Sequence, residues 1–275
     1  MSVPAAPLVV ESLARRFGRI EAVAGVSLEV RTGEIVGFLG ANGAGKTTTL
    51  RLVAGLLHPD HGRILVAGAD LAREPRVAKA RLGFVPDQPF LYDKLSGREF
   101  LAFVAALYDL PVDAAERRAE SLLARLGLAD DACRTIEGYS LGMRQKCSIA
   151  AALLHSPPLV LLDEPLNGLD PASARALKDL LREHAAAGGG VLVSTHLLEV
   201  AERLCDRIVI LRAGRVVAAG TLAELRGGDT SRSLEDVFLE LGGGDAPANS
   251  LIARQGVQED RCELRPELFG ETITW

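Results

Sequence analysis

Short apolar runs separated by turn residues occupy the first third of the chain. Runs bounded by glycine or charged residues predict strands at residues 8–10, 27–30, 34–39 and 62–68. The run at 34–39 is apolar on both faces, as in a fully buried strand. The other three runs suggest a small, partly antiparallel sheet.

The pattern then changes to helical periodicity. Apolar residues recur every three or four positions over residues 97–127, which predicts a helical insert. Strands and helices alternate after it, with strands at 159–162, 191–193 and 208–211 and helices at 174–186 and 197–204. This alternation predicts an α/β fold with a mostly parallel sheet and helices on both of its faces.

Composition limits the classes of protein that this pattern can form. The chain has 275 residues, of which 48% are hydrophobic, enough for a substantial core. It carries 31 basic and 36 acidic residues, for a net charge of −5, with no dense block of lysine and arginine. We therefore expect no nucleic acid as a partner. The four scattered cysteines have no metal-ligand spacing and favour a reducing compartment.

The sequence also predicts no membrane-spanning segment. Its longest apolar stretches are far shorter than the roughly 20 residues that cross a bilayer. Residues 1–7 lack the basic and apolar regions of a signal peptide. We expect any membrane role to depend on a partner.

The strongest chemical motif is a glycine-rich phosphate loop. Residues 40–47 have the sequence Gly-Ala-Asn-Gly-Ala-Gly-Lys-Thr and follow the buried strand. Glycines allow backbone N–H groups to face phosphates, and the following helix adds its positive dipole end. An ordinary glycine turn is disfavoured by the strand before it and the helix after it. The predicted nucleotide-binding residues are Asn42, Gly43, Ala44, Gly45, Lys46, Thr47 and Thr48.

Two adjacent carboxylates follow a second apolar strand, at residues 159–162. Asp163 and Glu164 lie at the carboxyl end of this strand, where ligands bind in open α/β sheets. We expect Thr47 and Asp163 to hold Mg²⁺ and Glu164 to polarise the attacking water. Alone the pair could be a solvated turn, but a phosphate loop upstream favours the catalytic interpretation.

Residues 139–146 indicate which family of phosphate-loop proteins the chain resembles. Their sequence, Tyr-Ser-Leu-Gly-Met-Arg-Gln-Lys, stands at the start of a helix predicted to end near residue 154. The segment resembles the Leu-Ser-Gly-Gly-Gln signature of ATP-binding-cassette (ABC) ATPases, of which Ser140 and Gly142 remain. A hydroxyl and free N–H groups at a helix start can bind an anion, although a plain N-cap has the same sequence.

Further positions match this family in order along the chain. Phe17 stands where the family stacks an aromatic ring on adenine, with core packing as the alternative. Asp170 ends the sequence Asn-Gly-Leu-Asp, which is similar to the family's D-loop. His196 follows a strand, as does the histidine that contacts the γ-phosphate. The remaining histidines match no motif.

One motif departs from the family pattern. The glutamine loop, which couples the nucleotide's magnesium to the helical insert, has Asp87 at the usual glutamine position and Gln88 next to it. Either side chain has an oxygen that could bind magnesium, and the choice between them stays open.

The resemblance covers residues 8–225 and implies the ABC ATPase fold: a P-loop NTPase core, a small antiparallel β subdomain and a helical insert. We expect an ATPase domain at 1–228, its helical subdomain at about 90–157, a C-terminal helix at 229–241, and a linker and polar tail at 242–275. The signature and the C-terminal helix look most like the daunorubicin-resistance, or multidrug, exporter ATPases.

The resemblance implies a transporter subunit that binds ATP and Mg²⁺ and hydrolyses ATP between two head-to-tail subunits, in a homodimer or a heterodimer. It also implies a separate permease that spans the cell membrane. This subunit would bind the permease as a peripheral protein at the cytoplasmic face. Phe84, Phe90, Leu91 and Tyr92 form a candidate groove for a permease helix. The alternatives are an ABC ATPase acting on a soluble machine such as the ribosome, and a guanine-nucleotide switch, for which no Asn-Lys-x-Asp segment is present.

Overall fold

The computed structural model describes residues 5–229 and 232–243. The strands in these residues are β1 (Leu8–Phe17), β2 (Ile20–Val30), β3 (Ile35–Leu39), β4 (His61–Val66), β5 (Ala69–Asp70), β6 (Leu82–Val85), β7 (Leu159–Asp163), β8 (Gly190–Thr195), β9 (Arg207–Arg212) and β10 (Arg215–Gly220). The helices are α1 (Lys46–Val53), α2 (Pro75–Ala80), α3 (Gly97–Leu107), α4 (Val112–Arg125), α5 (Leu141–Leu154), α6 (Pro171–Ala186), α7 (Leu198–Leu204), α8 (Leu222–Leu225) and α9 (Leu234–Phe238).

The strands form two sheets. A four-stranded antiparallel sheet has the order β2-β1-β4-β5, and a six-stranded sheet has the order β10-β9-β3-β8-β7-β6. In the larger sheet only the edge strand β10 is antiparallel to its neighbour. The predicted α/β fold, with a mostly parallel sheet, a small antiparallel sheet and a helical insert, is confirmed. Strands β5 and β10 and helix α2 are additions that the sequence pattern did not indicate.

The helical insert is divided where the chain cannot continue as a helix. Ser96 and Glu99 form a reciprocal capping box at the start of α3. Between α3 and α4, Asp109 adopts a positive φ of 51° and Pro111 is the residue before the first turn of α4. Because proline lacks an N–H and a positive φ interrupts helical geometry, the periodic segment forms two helices.

Three clusters of buried side chains hold these layers together. The first cluster joins α3, α4, α5 and α6 to one face of the larger sheet. The second lies between the two sheets and includes α1, and the third packs α7, α8 and α9 against β9. Strands β3, β7 and β8 are buried along their whole length, as their apolar composition indicates. This packing holds their carboxyl ends at one edge of the sheet.

The end of the described chain is partly helical. Leu234 and Val237 of α9 are buried in the third cluster, and a π-helical turn at Leu239–Gly243 follows. The linker and polar tail are predicted at 242–275, and from residue 244 onwards this segment lies outside the described residues. None of the helices in the described part combines the length and apolar composition that a bilayer-spanning segment requires.

Candidate nucleotide site

The phosphate loop connects buried β3 to α1. Gly43 and Gly45 have positive φ values of 80° and 105°, which favour glycine. The space around Gly45 also excludes a larger residue, because a Cβ atom there would lie 2.4 Å from the Ala22 carbonyl oxygen. The loop therefore turns sharply between the sheets and presents the start of α1.

Lys46 is the first residue of α1, and its side chain is only 7% exposed. Its Nζ donates a hydrogen bond to the Gly40 carbonyl at 2.6 Å and lies 3.9 Å from Glu164 Oε1. Burial lowers the pKa of Lys46, whereas the charges of Glu164 and Asp163 act in the opposite direction. The ammonium group is thus held over the loop, beside the two carboxylates.

Asp163 ends β7 and is fully buried. The register of β7 and β8 places it opposite Ser194, whose hydroxyl donates to Oδ1 at 2.5 Å. Burial raises the pKa of Asp163, and hydrogen bonding from Ser194 and Thr47 partly opposes this shift. Among the described residues Oδ2 has no hydrogen bond of ordinary geometry. A buried carboxylate oxygen with free acceptor capacity fits a cation ligand.

Glu164 has a strained backbone with a φ of 48°. Its N–H donates to Ser194, at 3.2 Å from the carbonyl oxygen and 3.1 Å from Oγ. Its Oε2 lies 2.9 Å from Nδ1 of His196, just beyond β8. The turn therefore directs the Glu164 carboxylate toward both Lys46 and His196.

A magnesium ion would have few protein ligands here. The described residues contain no cluster of three or more His, Cys, Asp or Glu side chains that could hold a metal. The Thr47 hydroxyl and Asp163 nevertheless offer the oxygen ligands that Mg²⁺ prefers, and this ion is usually held by one or two carboxylates together with substrate phosphates.

The glutamine-loop residues differ in their surroundings. Asp87 is partly buried, lies 3.7 Å from Arg51 Nη2, and contributes to the raised pKa of Asp163. Gln88 is exposed. Asp87 is therefore electrostatically coupled to Asp163, and its own charge is partly compensated by Arg51.

Phe17 ends β1 and is 44% exposed, so it does not pack in the core. The Arg15 guanidinium lies 5.0 Å from its ring centroid. Phe17 pairs with Ile20 across the hairpin whose second strand contains Ala22, the residue in contact with the loop at Gly45. An exposed aromatic ring thus belongs to the hairpin that borders the phosphate loop.

The signature segment begins α5, and Ser140 caps it by accepting a hydrogen bond from Met143 N at 3.3 Å. Leu141 is 62% exposed. A Cβ atom at Gly142 would lie 2.5 Å from the Gly168 carbonyl oxygen, so glycine is required by close packing against the loop after Glu164.

The D-loop is tied to α5 by side chains as well. Asp170 caps α6 by accepting hydrogen bonds from Ser173, and these bonds lower its pKa together with Lys146, whose Nζ lies 3.0 Å away. The buried Gln145 amide donates to the Pro165 carbonyl at 3.4 Å. Asp170 and the signature segment are therefore connected within one chain.

Of the four residues proposed for a permease groove, two are not exposed as expected. Phe84 packs against the cluster between the sheets, and Leu91 against the helical cluster. Phe90 and Tyr92 are 88% and 59% exposed. A groove of about 380 Å³ lies beside Tyr92 and is lined by Tyr92, Asp93, Lys94, Leu95 and Phe103.

Sequence patterns missed several contacts at the site. Ser194, Ala22 and Lys146 were not predicted to contribute. Ser194 directly precedes the Thr-His pair at the end of β8, so its place opposite a carboxylate could have been suspected from parallel strand register. Ala22 and Lys146 carry no such signal, because their contacts depend on packing between distant segments.

A phosphate loop after a buried strand, with an Asp-Glu pair at the end of another strand of the same sheet, defines a P-loop NTPase. A family model described as ABC transporter matches residues 23–167. The chain is 39% identical over 253 residues to the daunorubicin resistance ATP-binding protein DrrA3 of Streptomyces coeruleorubidus, covering 92% of this chain and 80% of the relative. The chain belongs to the ABC transporter family, as an ATP-binding subunit with ATPase activity.

Solved structures support the same assignment. The ATP-binding subunit of an ABC transporter matches with a TM-score of 0.82 and 38% identity, over 85% of this chain and 98% of that one. A dimeric cassette in a post-hydrolysis state, bound to ADP and Pi, matches with a TM-score of 0.71 and 26% identity, over 78% and 98% of the two chains. The predicted family, fold and ATPase activity are confirmed, and the ribosomal alternative has no support among these relatives.

Proposed function

We propose that this chain powers export by hydrolysing ATP, with Mg²⁺, at the cytoplasmic face of the cell membrane, where it binds a permease. The observation that carries the catalytic part is the convergence of Lys46, Glu164 and His196 at one edge of the sheet. Export rests on the daunorubicin-resistance relative.

In this proposal the phosphate loop binds the triphosphate through the backbone N–H groups of residues 42–48. Lys46 exchanges its bond with the Gly40 carbonyl for the β- and γ-phosphates. Thr47 and Asp163 would hold Mg²⁺, and the ion would supply positive charge to neutralise the phosphoryl group.

Glu164 orients and deprotonates the attacking water, and His196 contacts the γ-phosphate. Their side chains lie within hydrogen-bond distance of each other, so His196 also holds the carboxylate in place. The positive φ of Glu164 supports a functional role, because backbone strain clusters at active sites.

Ser140 and Gly142 serve the nucleotide of a second subunit in a head-to-tail dimer. Support comes from the exposed start of α5, where free N–H groups and the helix dipole suit an anion. Asp170 positions the D-loop beside the signature segment through Lys146. The second subunit is another copy of this chain or a relative.

Two further assignments complete the nucleotide site. Phe17 stacks on adenine, for which its exposed ring and its hairpin beside the loop are suited. Asp87, rather than Gln88, provides the magnesium-linked contact of the glutamine loop, supported by its electrostatic coupling to Asp163.

The permease docks at the groove beside Tyr92. Tyr92 and Phe103 line this groove with exposed aromatic surface, and Phe90, close to Tyr92 in the sequence, is also exposed. Such surface fits an apolar helix. The partner therefore covers a surface outside the nucleotide site.

The test is to tag Glu164→Gln, extract it from membranes and from cytosol with ATP and Mg²⁺, and identify co-purifying proteins. We expect a multi-spanning membrane protein in stoichiometric amount, together with an ATP-bound dimer. Phe90→Glu added to this variant is expected to reduce the membrane protein but leave the ATP-bound dimer.

Recovery of ribosomal or other soluble proteins without a membrane partner would contradict the transport proposal. Undiminished recovery of the permease with Phe90→Glu would contradict the docking surface alone. A monomer with ATP bound would contradict the proposed role of Ser140 and Gly142.

A further inference from the structure

The end of β1 places a cation against an exposed aromatic ring. Arg15 and Phe17 lie two residues apart on this strand, and the guanidinium carbon of Arg15 lies over the Phe17 ring, 5.0 Å from its centroid. This distance is within the range of a cation–π contact, about 6 Å. Phe17 is still 44% exposed. Aromatic surface therefore remains free for a second stacking partner.

Asp60, in the loop before β4, fixes the position of this cation. Its Oδ1 accepts a hydrogen bond from Arg15 Nη1, and its Oδ2 accepts one from the Arg16 backbone N–H, both at 2.7 Å. The N–H of Asp60 itself donates to the Ala14 carbonyl at 2.9 Å. Because three consecutive residues of β1 hold Asp60 in this way, the direction of the Arg15 side chain is also set.

The guanidinium of Arg15 is partly withdrawn from solvent. The side chain is 28% exposed, and its Nε is buried without a hydrogen-bond partner in the part of the chain that the structure describes. A desolvated cation is attracted to an aromatic face more strongly than a hydrated one. The contact with Phe17 therefore restrains the ring as well as the arginine.

The restrained ring belongs to the hairpin that packs on the phosphate loop. Phe17 pairs with Ile20 of β2, and two residues further along this strand the Ala22 carbonyl oxygen lies 2.4 Å from the place of a Cβ atom at Gly45. A ligand held by the loop would thus have the Phe17 ring at a set distance. Rotation of the ring would change the stacking surface without changing the loop.

We propose that Arg15, held by Asp60, is the positioning residue for the nucleobase, because it keeps the Phe17 ring in the orientation on which the base stacks. This inference rests on the proposed stacking of Phe17 on adenine. Arg15 acts through the ring and not on the phosphates. Its contribution is therefore confined to ligands that carry a base.

The test compares ADP with pyrophosphate, which is the diphosphate without the nucleoside. Affinities of the full chain, with Mg²⁺ present, are measured by calorimetry for ADP and by competition with ADP for pyrophosphate. Arg15→Gln should weaken ADP binding by about two- to fivefold, because the cation that restrains the ring is lost. Pyrophosphate binding should stay unchanged, which also shows that the phosphate loop is still folded.

The matched control is Arg16→Gln. Arg16 is an exposed neighbouring arginine, and it contacts Asp60 through its backbone N–H, which the substitution keeps. This variant should bind both ligands as the parent chain does. Arg15→Lys keeps a cation beside Phe17 and should lose less affinity for ADP than Arg15→Gln.

A double-mutant cycle tests whether Arg15 acts through the ring. Phe17→Ala should weaken ADP binding by about fivefold or more, because the stacking surface is removed. Adding Arg15→Gln to Phe17→Ala should then have no further effect.

The outcomes separate this inference from the stacking role on which it rests. Unchanged ADP binding in Phe17→Ala would contradict adenine stacking and, with it, the role of Arg15. A loss with Phe17→Ala but none with Arg15→Gln would overturn the role of Arg15 alone. Equal losses of ADP and pyrophosphate binding in Arg15→Gln, or its full effect in the Phe17→Ala chain, would also overturn it, because Arg15 would then act on the phosphates.

Discussion

The phosphate-loop edge and the signature segment present their polar groups in opposite ways. At the edge, Lys46 and Asp163 are buried, and strand register and hydrogen bonds hold them beside Glu164. At the signature segment, Ser140 caps α5, and the first residue of this helix, Leu141, is exposed.

In the proposed dimer, one chain therefore holds the groups of one half of a catalytic site at the phosphate-loop edge. At the signature segment it exposes the groups that would form the other half of a second site. Buried charges are costly unless they are paired or bind a ligand, so the edge must be organised within the chain. An exposed helix start carries no such cost and can be completed by a partner. The contact between Gly142 and Gly168 links the two regions.

The largest effect is expected at the phosphate-loop edge, where ATP binding and ATP turnover depend on different side chains. Glu164→Gln should reduce ATP turnover by about 10²–10⁴-fold, because it removes the general base, and leave ATP affinity largely unchanged. Lys46→Ala should instead weaken ATP binding. Steady-state ATPase rates and equilibrium nucleotide binding measure the two effects. Normal turnover in Glu164→Gln would show that another group activates the water.

The second prediction concerns the link between the regions. Gly142→Ala should destabilise the fold by about 1–3 kcal/mol, because the new Cβ would lie 2.5 Å from a backbone oxygen that cannot easily move. Chemical denaturation measures the change. Gly138→Ala is the matched control, since its Cβ would meet only the Arg134 side chain at 3.6 Å. Equal stabilities would mean that the two loops are not tightly packed.

The smallest effect is expected at the other end of α5. His155 stacks on Tyr108 at 3.7 Å between ring centroids, and burial lowers the pKa of His155 from 6.5 to about 4. Between these values the unfolded chain binds more protons, so this contribution to stability is complete above pH 6.5 and is lost as the pH falls toward 4.

His155→Gln should therefore flatten the decrease in stability on acidification, by about 1 kcal/mol after allowance for solvent screening. Urea unfolding of the parent chain and of His155→Gln, each at about pH 7 and about pH 5, gives the slope of stability against pH for both proteins. His58→Gln, at an exposed histidine, is the control. An unchanged slope in His155→Gln would show that this ring is protonated equally in both states.

Most of the fold was predictable because its signals are local. The alternation of strands and helices and the cap at Ser140 all lie within short segments. The division between α3 and α4 was less visible, because one continuous periodicity runs across Asp109 and Pro111. Phe84 is predicted to be exposed but is only partly so, since its exposure depends on packing between the sheets.

The sequence by itself determined the phosphate loop, the Asp163–Glu164 pair and the family, because glycine spacing and adjacent carboxylates are properties of contiguous residues. Only the tertiary structure decided which distant groups meet. Ser194 reaches Asp163 through the register of two parallel strands, and His196 reaches Glu164 at the same edge. Arg125 of α4 and Glu183 of α6 form an ion pair because both helices pack against one core, and no local pattern encodes a contact over that separation.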